Sequence, residues 1–311
     1  YVKEWSTRKL MLQNGDADRV KVETPYVPEL KNMKGLKLYE VPGLNFCAAM
    51  FCREINPDGN PNIGSGRLDG DGIPPDFFSQ IEVRKAFLHA FDRVTYRQDV
   101  FNDMVVMPTS PLIEGLPYHK EVPVYEFDLE KSMEYMKKAF DGQLWDKGFQ
   151  MTITYNTGND MRKAAARMLA ENIMSLNPKF KIEVRNVEWK DYIVKVRSYQ
   201  FPLFISGWGA DYADPQNFMQ PFMHSNGYYG GYMKLQNDRI DSLIKQGIET
   251  AESDKRRAIY SQLQDIWYED AIAIPLYQQI NLRAYQDYVH GFVPNPMFTD
   301  DNEIFKRLWK E

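Results

Sequence analysis

The sequence predicts an α/β fold, because segments with the period of a strand alternate with segments with the period of a helix. Residues 149–155, FQMTITY, alternate apolar and polar side chains, which is typical of a half-buried strand. A helical period begins at Met161, a second strand-like segment covers 181–187, and a short helical stretch covers 189–196. An apolar run then ends at Ser206. This order of strand, helix, strand, helix and strand indicates right-handed crossovers between parallel strands.

Four further helices are predicted from capping residues and from apolar stripes. Ser79 begins a segment with the spacing of a capping box, which predicts a helix start. Asp128 is expected to cap a second helix that ends at Gly142. Asn237 and Ser253 are expected to begin the third and the fourth. The core-facing residues of these helices are expected to be Val83, Ala86, Phe87, Ala90 and Phe91; Leu129, Met133, Met136 and Phe140; Ile240, Leu243, Ile244 and Ile248; and Ile259, Leu263, Ile266 and Trp267.

A buried strand is predicted for residues 271–277, AIAIPLY, near the carboxyl end of the chain. Proline cannot donate a hydrogen bond to a neighbouring strand. Pro275 therefore indicates either a sheet edge or a segment that crosses between two parts of the fold.

The composition excludes several classes of protein. Of the 311 residues 43% are hydrophobic, which is enough for a core in one large or two moderate domains. The 38 basic and 43 acidic side chains give a net charge of −5 without a long run of one sign, so no nucleic-acid-binding groove is expected. The longest apolar run, near 46–51, is far shorter than the roughly 20 residues that span a bilayer. The first residues, YVKEWSTRKL, carry charges where a signal peptide is apolar, so the chain is expected to be a mature or shortened piece.

The two cysteines, Cys47 and Cys52, are too few for a disulfide scaffold and lack the neighbours of a zinc site. They stand five positions apart in an extended segment, so their side chains are expected on opposite faces of a strand. Two buried thiols are predicted, with a single disulfide as the alternative.

The candidate site is the segment GWGADYADP, residues 207–215, which begins where the third strand of the crossover unit should end. In such sheets ligands bind beyond the carboxyl ends of the strands. Gly207 and Gly209 allow close approach of a ligand, and Asp211 with Trp208 offers a carboxylate and an aromatic face to an ammonium group. The alternative is a turn in which the aspartate caps the next helix and the tryptophan belongs to the core.

Other kinds of site are poorly supported by the sequence. Gly64 to Gly66 lacks the remaining residues of a dinucleotide or phosphate loop. A calcium loop that started at Asp69 would need glutamate where Gln80 stands. None of the 4 histidines has the spacing of a metal pair on a helix, and no serine has the context of a nucleophile, so no enzyme, metal or cofactor is predicted. Asp211 and Asp214 leave a glycosidase carboxylate pair as a distant alternative.

Several short motifs occur in a fixed order along the chain. They are VRKAF (83–87), AFDR (90–93), YEFD (125–128), GWGADYADP (207–215), NDRID (237–241), IPLY (274–277) and VHG (289–291). This ordered set resembles the family 5 extracellular solute-binding proteins, the oligopeptide- and dipeptide-binding components of ABC importers.

The resemblance implies a type II periplasmic-binding-protein-like fold with a mixed, mostly parallel sheet flanked by helices. Two lobes would close on the ligand, with 46–276 forming the large carboxyl-side lobe. Residues 1–45 and 277–311 would belong to the second, split lobe. Family members carry a long stretch ahead of the part that matches 10–18, so the chain is expected to be a fragment that lacks most of that lobe.

The resemblance also implies roles for residues of the candidate site. The carboxylate of Asp211 would accept the α-ammonium group of a peptide beside Trp208. Gly209, Tyr212, Tyr277 and Gln279 would line the ligand, although a structural role in a strand is favoured for Tyr277. Some relatives bind the peptide carboxylate with an arginine just before the motif tryptophan, whereas 204–206 is Phe-Ile-Ser here.

The function implied is capture of peptides outside the cytoplasm, in the periplasm or at the cell exterior, and their delivery to the transmembrane subunits of an ABC permease. Contact with the membrane would occur through the permease or through a lipid anchor outside this chain. An oligosaccharide-binding relative, with Trp208 as a stacking platform and Asp211 as a hydroxyl acceptor, is the alternative within the same family.

Overall fold

The computed structural model describes residues 2, 4–31, 33–293, 295 and 307–311. The strands are β1 (Arg19–Val22), β2 (Leu36–Pro42), β3 (Asn45–Phe51), β4 (Val105–Val106), β5 (Phe149–Asn156), β6 (Phe180–Val187), β7 (Leu203–Gly209), β8 (Ala273–Gln286), β9 (Val289–His290) and β10 (Trp309–Lys310). The helices are α1 (Trp5–Asn14), α2 (Val27–Leu30), α3 (Ile81–His89), α4 (Arg93–Phe101), α5 (Leu129–Lys138), α6 (Gln143–Lys147), α7 (Asp160–Leu176), α8 (Trp189–Arg197), α9 (Gln216–Met223), α10 (Tyr228–Tyr232), α11 (Asp238–Glu249) and α12 (Ser253–Glu269).

The main sheet is mixed and has the strand order β1-β8-β3-β7-β5-β6, with β2 and β4 also paired to β8. The predicted crossover unit is confirmed, because β5 pairs in parallel with both β6 and β7 and the helices α7 and α8 connect them. Strand β3 is antiparallel to β7 and to β8. The parallel pairs of this sheet are thus confined to β5, β6 and β7, and its other pairs are antiparallel.

Two hydrophobic cores lie on the two faces of the sheet. Side chains alternate along β3, so Ala49 and Phe51 enter the first core while Ala48 and Met50 enter the second. The first core includes residues of α3, α5 and α7, and the second includes residues of α9, α11 and α12. A third, smaller cluster surrounds β1, α1, α2 and the second half of β8.

Strand β8 is the longest strand of the described sheet and links these parts of the fold. Its first residues pair with β3, and its later residues pair with β1 and β2. Pro275 lies opposite Ala48, at a register shift between Cys47 and Ala48. The prediction of a crossing segment is confirmed, and the strand continues to Gln286, well beyond its predicted end.

Most of the predicted helix starts are confirmed. The side chain of Asp128 accepts a hydrogen bond from the Lys131 amide, Asn237 accepts one from the Ile240 amide, and Ser253 is the first residue of α12. The prediction of a capping box at Ser79 was wrong. Helix α3 begins at Ile81, and the Ser79 hydroxyl donates instead to the Arg53 carbonyl, at 2.7 Å.

The second predicted helix ends earlier than expected. Helix α5 stops at Lys138 rather than continuing to Gly142, because Ala139 is extended, with ψ 139°, and Phe140 and Asp141 then have φ values of 52° and 54°. This left-handed pair places the Phe140 ring on Phe77, with ring centroids 5.8 Å apart. The helix thus ends before the glycine, and Phe140 packs against the first core instead.

Both thiols are free and buried, which confirms the favoured prediction and excludes the disulfide. The expectation of opposite faces was wrong, since Cys47 and Cys52 lie in the same core. Strand β3 ends at Phe51, so the alternation of side chains stops before Cys52. Burial raises the pKa of the Cys52 thiol to about 12.

Candidate ligand-binding site

The motif 207–215 lies at one edge of the main sheet, where several strands end together. Strand β7 ends at Gly209, and β5, which is parallel to it, ends at Asn156. The first half of β8 points the same way, because β7 and β8 are both antiparallel to β3. The loop 210–215 then leads into α9. This is the edge of an α/β sheet at which ligands bind.

A buried amide side chain holds the motif in place. The Oδ1 atom of Asn217 accepts hydrogen bonds from the Trp208 indole Nε1, at 3.0 Å, and from the Asp211 backbone amide, at 3.1 Å. Asn217 is only 5% exposed, so both bonds are shielded from water. Asn217 was not identified from the sequence, because it is one of three amide residues in α9 and no local pattern distinguishes it from Gln216 and Gln220.

Trp208 is half-buried and packs against the second core. Its ring centroid lies 5.6 Å from that of Tyr228 and 6.3 Å from that of Tyr229, the latter nearly at right angles. The indole therefore combines the two predicted roles: one part belongs to the core, and the rest remains at the surface of the candidate site.

Asp211 and Asp214 have different surroundings although they lie in one loop. The Asp211 side chain is exposed, and no partner for its carboxylate occurs among the described residues. Asp214 accepts the Gln216 amide at the start of α9, at 2.8 Å, and both of its oxygens accept from Arg256 Nη2, at 2.8 and 2.9 Å. The sequence left open that an aspartate of the motif caps the next helix. Asp214 is the residue that bonds the start of α9, and the Asp211 carboxylate has no partner among the described residues.

The two glycines of the motif differ in what surrounds them. A Cβ atom at Gly207 would lie 3.0 Å from the Phe46 carbonyl and 3.2 Å from Arg162 Nη2, so this position has little room. A Cβ at Gly209 would meet no described atom within 4 Å, so the protein itself does not require glycine there. Tyr212 is 49% exposed and donates its hydroxyl to the Gln216 side chain.

The structure places Tyr277 and Gln279 differently with respect to this edge. Tyr277 is 4% exposed and packs against Phe101, which fits the strand role. Gln279 is exposed, and its backbone amide donates to Asn45 Oδ1, at 2.8 Å. Because Asn45 pairs with Gly209, Gln279 lies beside the motif whereas Tyr277 lies in the core behind it.

Arg162, in α7, is a cation at this edge that the sequence analysis missed. Its Nη1 donates to Asn156 Oδ1, at 2.7 Å, and its Nη2 lies beside Gly207. Its Nε is buried without a hydrogen-bond partner, and no carboxylate of the described chain forms an ion pair with it. A basic residue is unfavourable near the amino end of a helix, which is the signal that could have identified it.

Neither a metal site nor a membrane-spanning helix is found in the part of the chain that the structure describes. Among the described residues, no group of three or more His, Cys, Asp or Glu side chains could hold a metal ion. Across the same residues, no helix combines the length and the apolar character needed to cross a membrane.

Comparisons with known proteins agree with this architecture. The family model for bacterial extracellular solute-binding proteins, family 5 (middle part), matches residues 1–230. The solved structure of the ABC transporter-associated periplasmic binding protein DppA from Helicobacter pylori, in complex with the peptide STSA, has a TM-score of 0.76 at 18% identity. The match covers 100% of this chain and 56% of that one.

Two curated relatives show the same relationship in sequence. The heme-binding protein A of Haemophilus influenzae is 26% identical over 96% of this chain and 51% of its own length. A probable di/tripeptide-binding protein of Pseudomonas aeruginosa is 24% identical over 71% of this chain and 41% of its own length. The chain thus spans about half the length of the curated relatives it matches. On the strength of the family match and the shared fold, the chain belongs to the bacterial extracellular solute-binding proteins of family 5.

Proposed function

We propose that this chain is the ligand-binding part of a protein that captures peptides outside the cytoplasm and delivers them to an ABC permease. The observation that carries the proposal is the free carboxylate of Asp211, held at a strand end beside the half-exposed Trp208. One oxygen atom of Asn217 accepts from the Trp208 indole and from the backbone amide of Asp211, so the segment that carries the two side chains is held in place before a ligand arrives.

The α-ammonium group of a peptide suits this arrangement. A carboxylate forms charge-assisted hydrogen bonds with an ammonium group, and an indole face adds cation–π attraction. Asp211 has no competing cation among the described residues, so a ligand amine would not need to displace one. Gly209, Tyr212 and Gln279 border the same edge and would contact the ligand, whereas Tyr277 would support the strand from behind.

Arg162 is the group we assign to the peptide carboxylate. It replaces the arginine that some relatives carry before the motif tryptophan, at a position where this chain has Ile205 and Ser206. Its guanidinium lies next to Gly207, four positions before Asp211, and no carboxylate of the described residues forms an ion pair with it. A cation beside Gly207 and an anion at Asp211 favour a zwitterionic ligand over a neutral one.

Two lobes are expected to close on the ligand, with residues 46–276 in the large lobe and residues 1–45 and 277–311 in the other. The hydrophobic clusters on the two faces of the main sheet consist mainly of residues within 46–276. The third cluster consists mainly of residues within 1–45 and 277–311. Closure would require the ligand to bind the closed form better than the open one. The closed form would then be recognised by the permease.

The rival functions are less well supported. A glycosidase would need both loop carboxylates, but Asp214 is held by Arg256 and by the Gln216 amide. An oligosaccharide would stack on Trp208, yet part of the indole packs against Tyr228 and Tyr229. We therefore infer a binding protein, not an enzyme, that acts in the periplasm or at the cell exterior.

Isothermal titration calorimetry with three ligands tests the proposal. Tri-alanine should bind, N-acetyl-tri-alanine should bind about 10- to 100-fold more weakly because the charged hydrogen bond is lost, and maltotriose should not bind. Equal affinities for the free and the acetylated peptide, or binding of the sugar alone, would contradict the proposed ligand class.

A further inference from the structure

A surface depression of about 440 Å³ lies between the end of α3, helix α5 and the end of α12, away from the candidate ligand-binding site. The end of α12 leads into β8 at Ala273, which pairs with Met50, whereas Asn45, at the start of β3, pairs with Gly209. Five residues of β3, about 17 Å, therefore separate these two ends of the sheet. The depression lies at the end opposite the motif 207–215.

Hydrogen bonds hold the walls of this depression in place. The Asp128 amide, at the start of α5, donates to the His89 carbonyl at 2.9 Å, and the Ser132 hydroxyl donates to the Ala86 carbonyl at 2.8 Å. The Tyr125 hydroxyl donates to the Tyr268 carbonyl, also at 2.9 Å. These bonds connect α3 with α5, and the segment before α5 with α12. The depression is thus built by the fold itself, without the help of a ligand.

Aromatic rings form much of its lining, namely those of Tyr125, Tyr135, Tyr268 and His89. The imidazole centroid lies 5.8 Å from that of Tyr135, nearly parallel to it, and 5.2 Å from that of Tyr125, nearly at right angles. The ring centroids of Tyr125 and Tyr268 are 4.8 Å apart, and Lys85 Nζ lies 5.8 Å from the centroid of Tyr135. All three tyrosines remain partly exposed, so they offer an apolar contact surface to an aromatic ligand.

His89 supplies a hydrogen-bond acceptor that the fold does not use. The residue is only 8% exposed, and its Nδ1 lies 2.8 Å from the Glu126 carbonyl, which can only accept, so Nδ1 carries the proton. In the neutral imidazole Nε2 is then an acceptor. This atom has no hydrogen-bond partner among the described residues, yet it is not shielded from solvent. Because His89 lines the depression, an N–H or O–H group of a ligand can reach Nε2.

Two side chains of opposite charge line the depression without an ion-pair partner. Lys85 stands one helical turn before His89 and therefore on the same face of α3. Neither Lys85 nor Glu269 forms an ion pair within 4.0 Å with any described residue. Lys131 also lines the depression, but its Nζ lies 3.4 Å from the Asp128 carboxylate. Lys85 and Glu269 thus leave one cation and one anion available to a ligand.

We propose that this depression is a second binding site, separate from the peptide site, and that it takes a free aromatic amino acid. The carboxylate of the ligand would contact Lys85, its ammonium group Glu269, and its ring the three tyrosines. An N–H or O–H group on that ring would donate to His89 Nε2. A free aromatic amino acid carries both charges and a ring in one small molecule, which a simple anion or a sugar does not. Because solvent screens the exposed charges, we expect a dissociation constant on the order of 1 mM.

Saturation-transfer difference NMR with three ligands tests the proposal on the wild-type chain. L-tryptophan should bind and saturate the signal at about 20 times the expected dissociation constant. 1-Methyl-L-tryptophan should bind about 2- to 10-fold more weakly, because its indole can no longer donate to His89 Nε2. L-tryptophan amide, which lacks the carboxylate, should bind about 2- to 5-fold more weakly. No saturable binding of L-tryptophan, or equal affinities for all three ligands, would overturn the proposal.

Four variants locate the binding site. Lys85→Met and Glu269→Gln should each weaken tryptophan binding by about 2- to 5-fold. Lys245→Met is the matched control, since the Lys245 side chain is 74% exposed in α11 and does not line the depression, and it should bind as the wild type does. Asp211→Asn should also bind tryptophan normally. Loss of binding in Asp211→Asn, displacement of tryptophan by tri-alanine, or wild-type affinity in both Lys85→Met and Glu269→Gln would contradict the site.

Discussion

Asp211 and Asp214 provide the clearest test at the scale of single residues, because one is free and the other is tied to Arg256 and to α9. Asp214→Asn should lower the free energy of unfolding by about 1.5–3 kcal/mol, the value of a hydrogen bond to a charged group. Asp211→Asn should change it by less than about 0.5 kcal/mol, as for other surface positions. Urea denaturation of both variants measures the difference. A destabilisation of similar size in both would show that Asp211 has a structural partner.

The proposed contact of Arg162 with the peptide carboxylate can be tested with ligands that have or lack that carboxylate. Arg162→Met should weaken binding of a peptide with a free carboxylate by about 10- to 100-fold and leave binding of the corresponding peptide amide nearly unchanged. Calorimetric titration with the two peptides separates these effects. Arg167→Met, an exposed change in the same helix, is the control. If both peptides lose affinity equally, Arg162 supports the fold of the site and does not contact the carboxylate.

Because the thiol of Cys52 is buried, we expect the free energy of unfolding to depend on pH. The pKa of Cys52 is raised from about 9 to about 12 by burial, so above pH 9 the unfolded chain loses its thiol proton while the folded chain keeps it. The free energy of unfolding should therefore fall as the pH rises from 9 towards 12. Buried tyrosines such as Tyr277, whose pKa burial also raises, add to the same trend.

Cys52→Ala should reduce this decline without removing the tyrosine part. Denaturant titrations at pH 8 and pH 11 for both proteins measure it. An identical decline in the variant would indicate that Cys52 ionises in the folded state as it does in the unfolded chain.

At the scale of elements, the connection between β7 and α9 depends on Asn217. Asn217→Ala would leave the Trp208 Nε1 and the Asp211 amide without their acceptor, so we expect a loss of about 1–3 kcal/mol in the free energy of unfolding. Weaker peptide binding should accompany it. Asn226→Ala, an exposed amide near the same helix, should change neither quantity.

Local patterns predicted those elements whose causes are local. The crossover unit β5 to β7 followed from alternation and helical periods, and Asp128 and Asn237 act as caps because their oxygens reach amides two or three positions ahead. Ser79 failed as a cap because Arg53, 26 positions away, offers its hydroxyl a better acceptor. Arg162 was missed for the same reason, since its neighbour Gly207 comes from a distant strand.

At the scale of the whole molecule, the family and the fold were predictable from the order of motifs, whereas the course of β8 was not. This strand changes partners from β3 to β1 and β2 along its length, and no local signal beyond Pro275 marks that change. The division into lobes at 46 and 276 remains a prediction, and part of 277–311 lies outside the described residues.

The central claim is that Asp211 accepts the amine of a peptide, and a double-mutant cycle tests it most directly. The affinities of tri-alanine and N-acetyl-tri-alanine are measured by calorimetry for the wild-type chain and for Asp211→Asn, with Asp99→Asn as an exposed control. We predict that acetylation weakens binding to the wild type and to the control by about 10- to 100-fold, but changes binding to Asp211→Asn by less than about two-fold. An equal effect of acetylation in all three proteins would contradict the account.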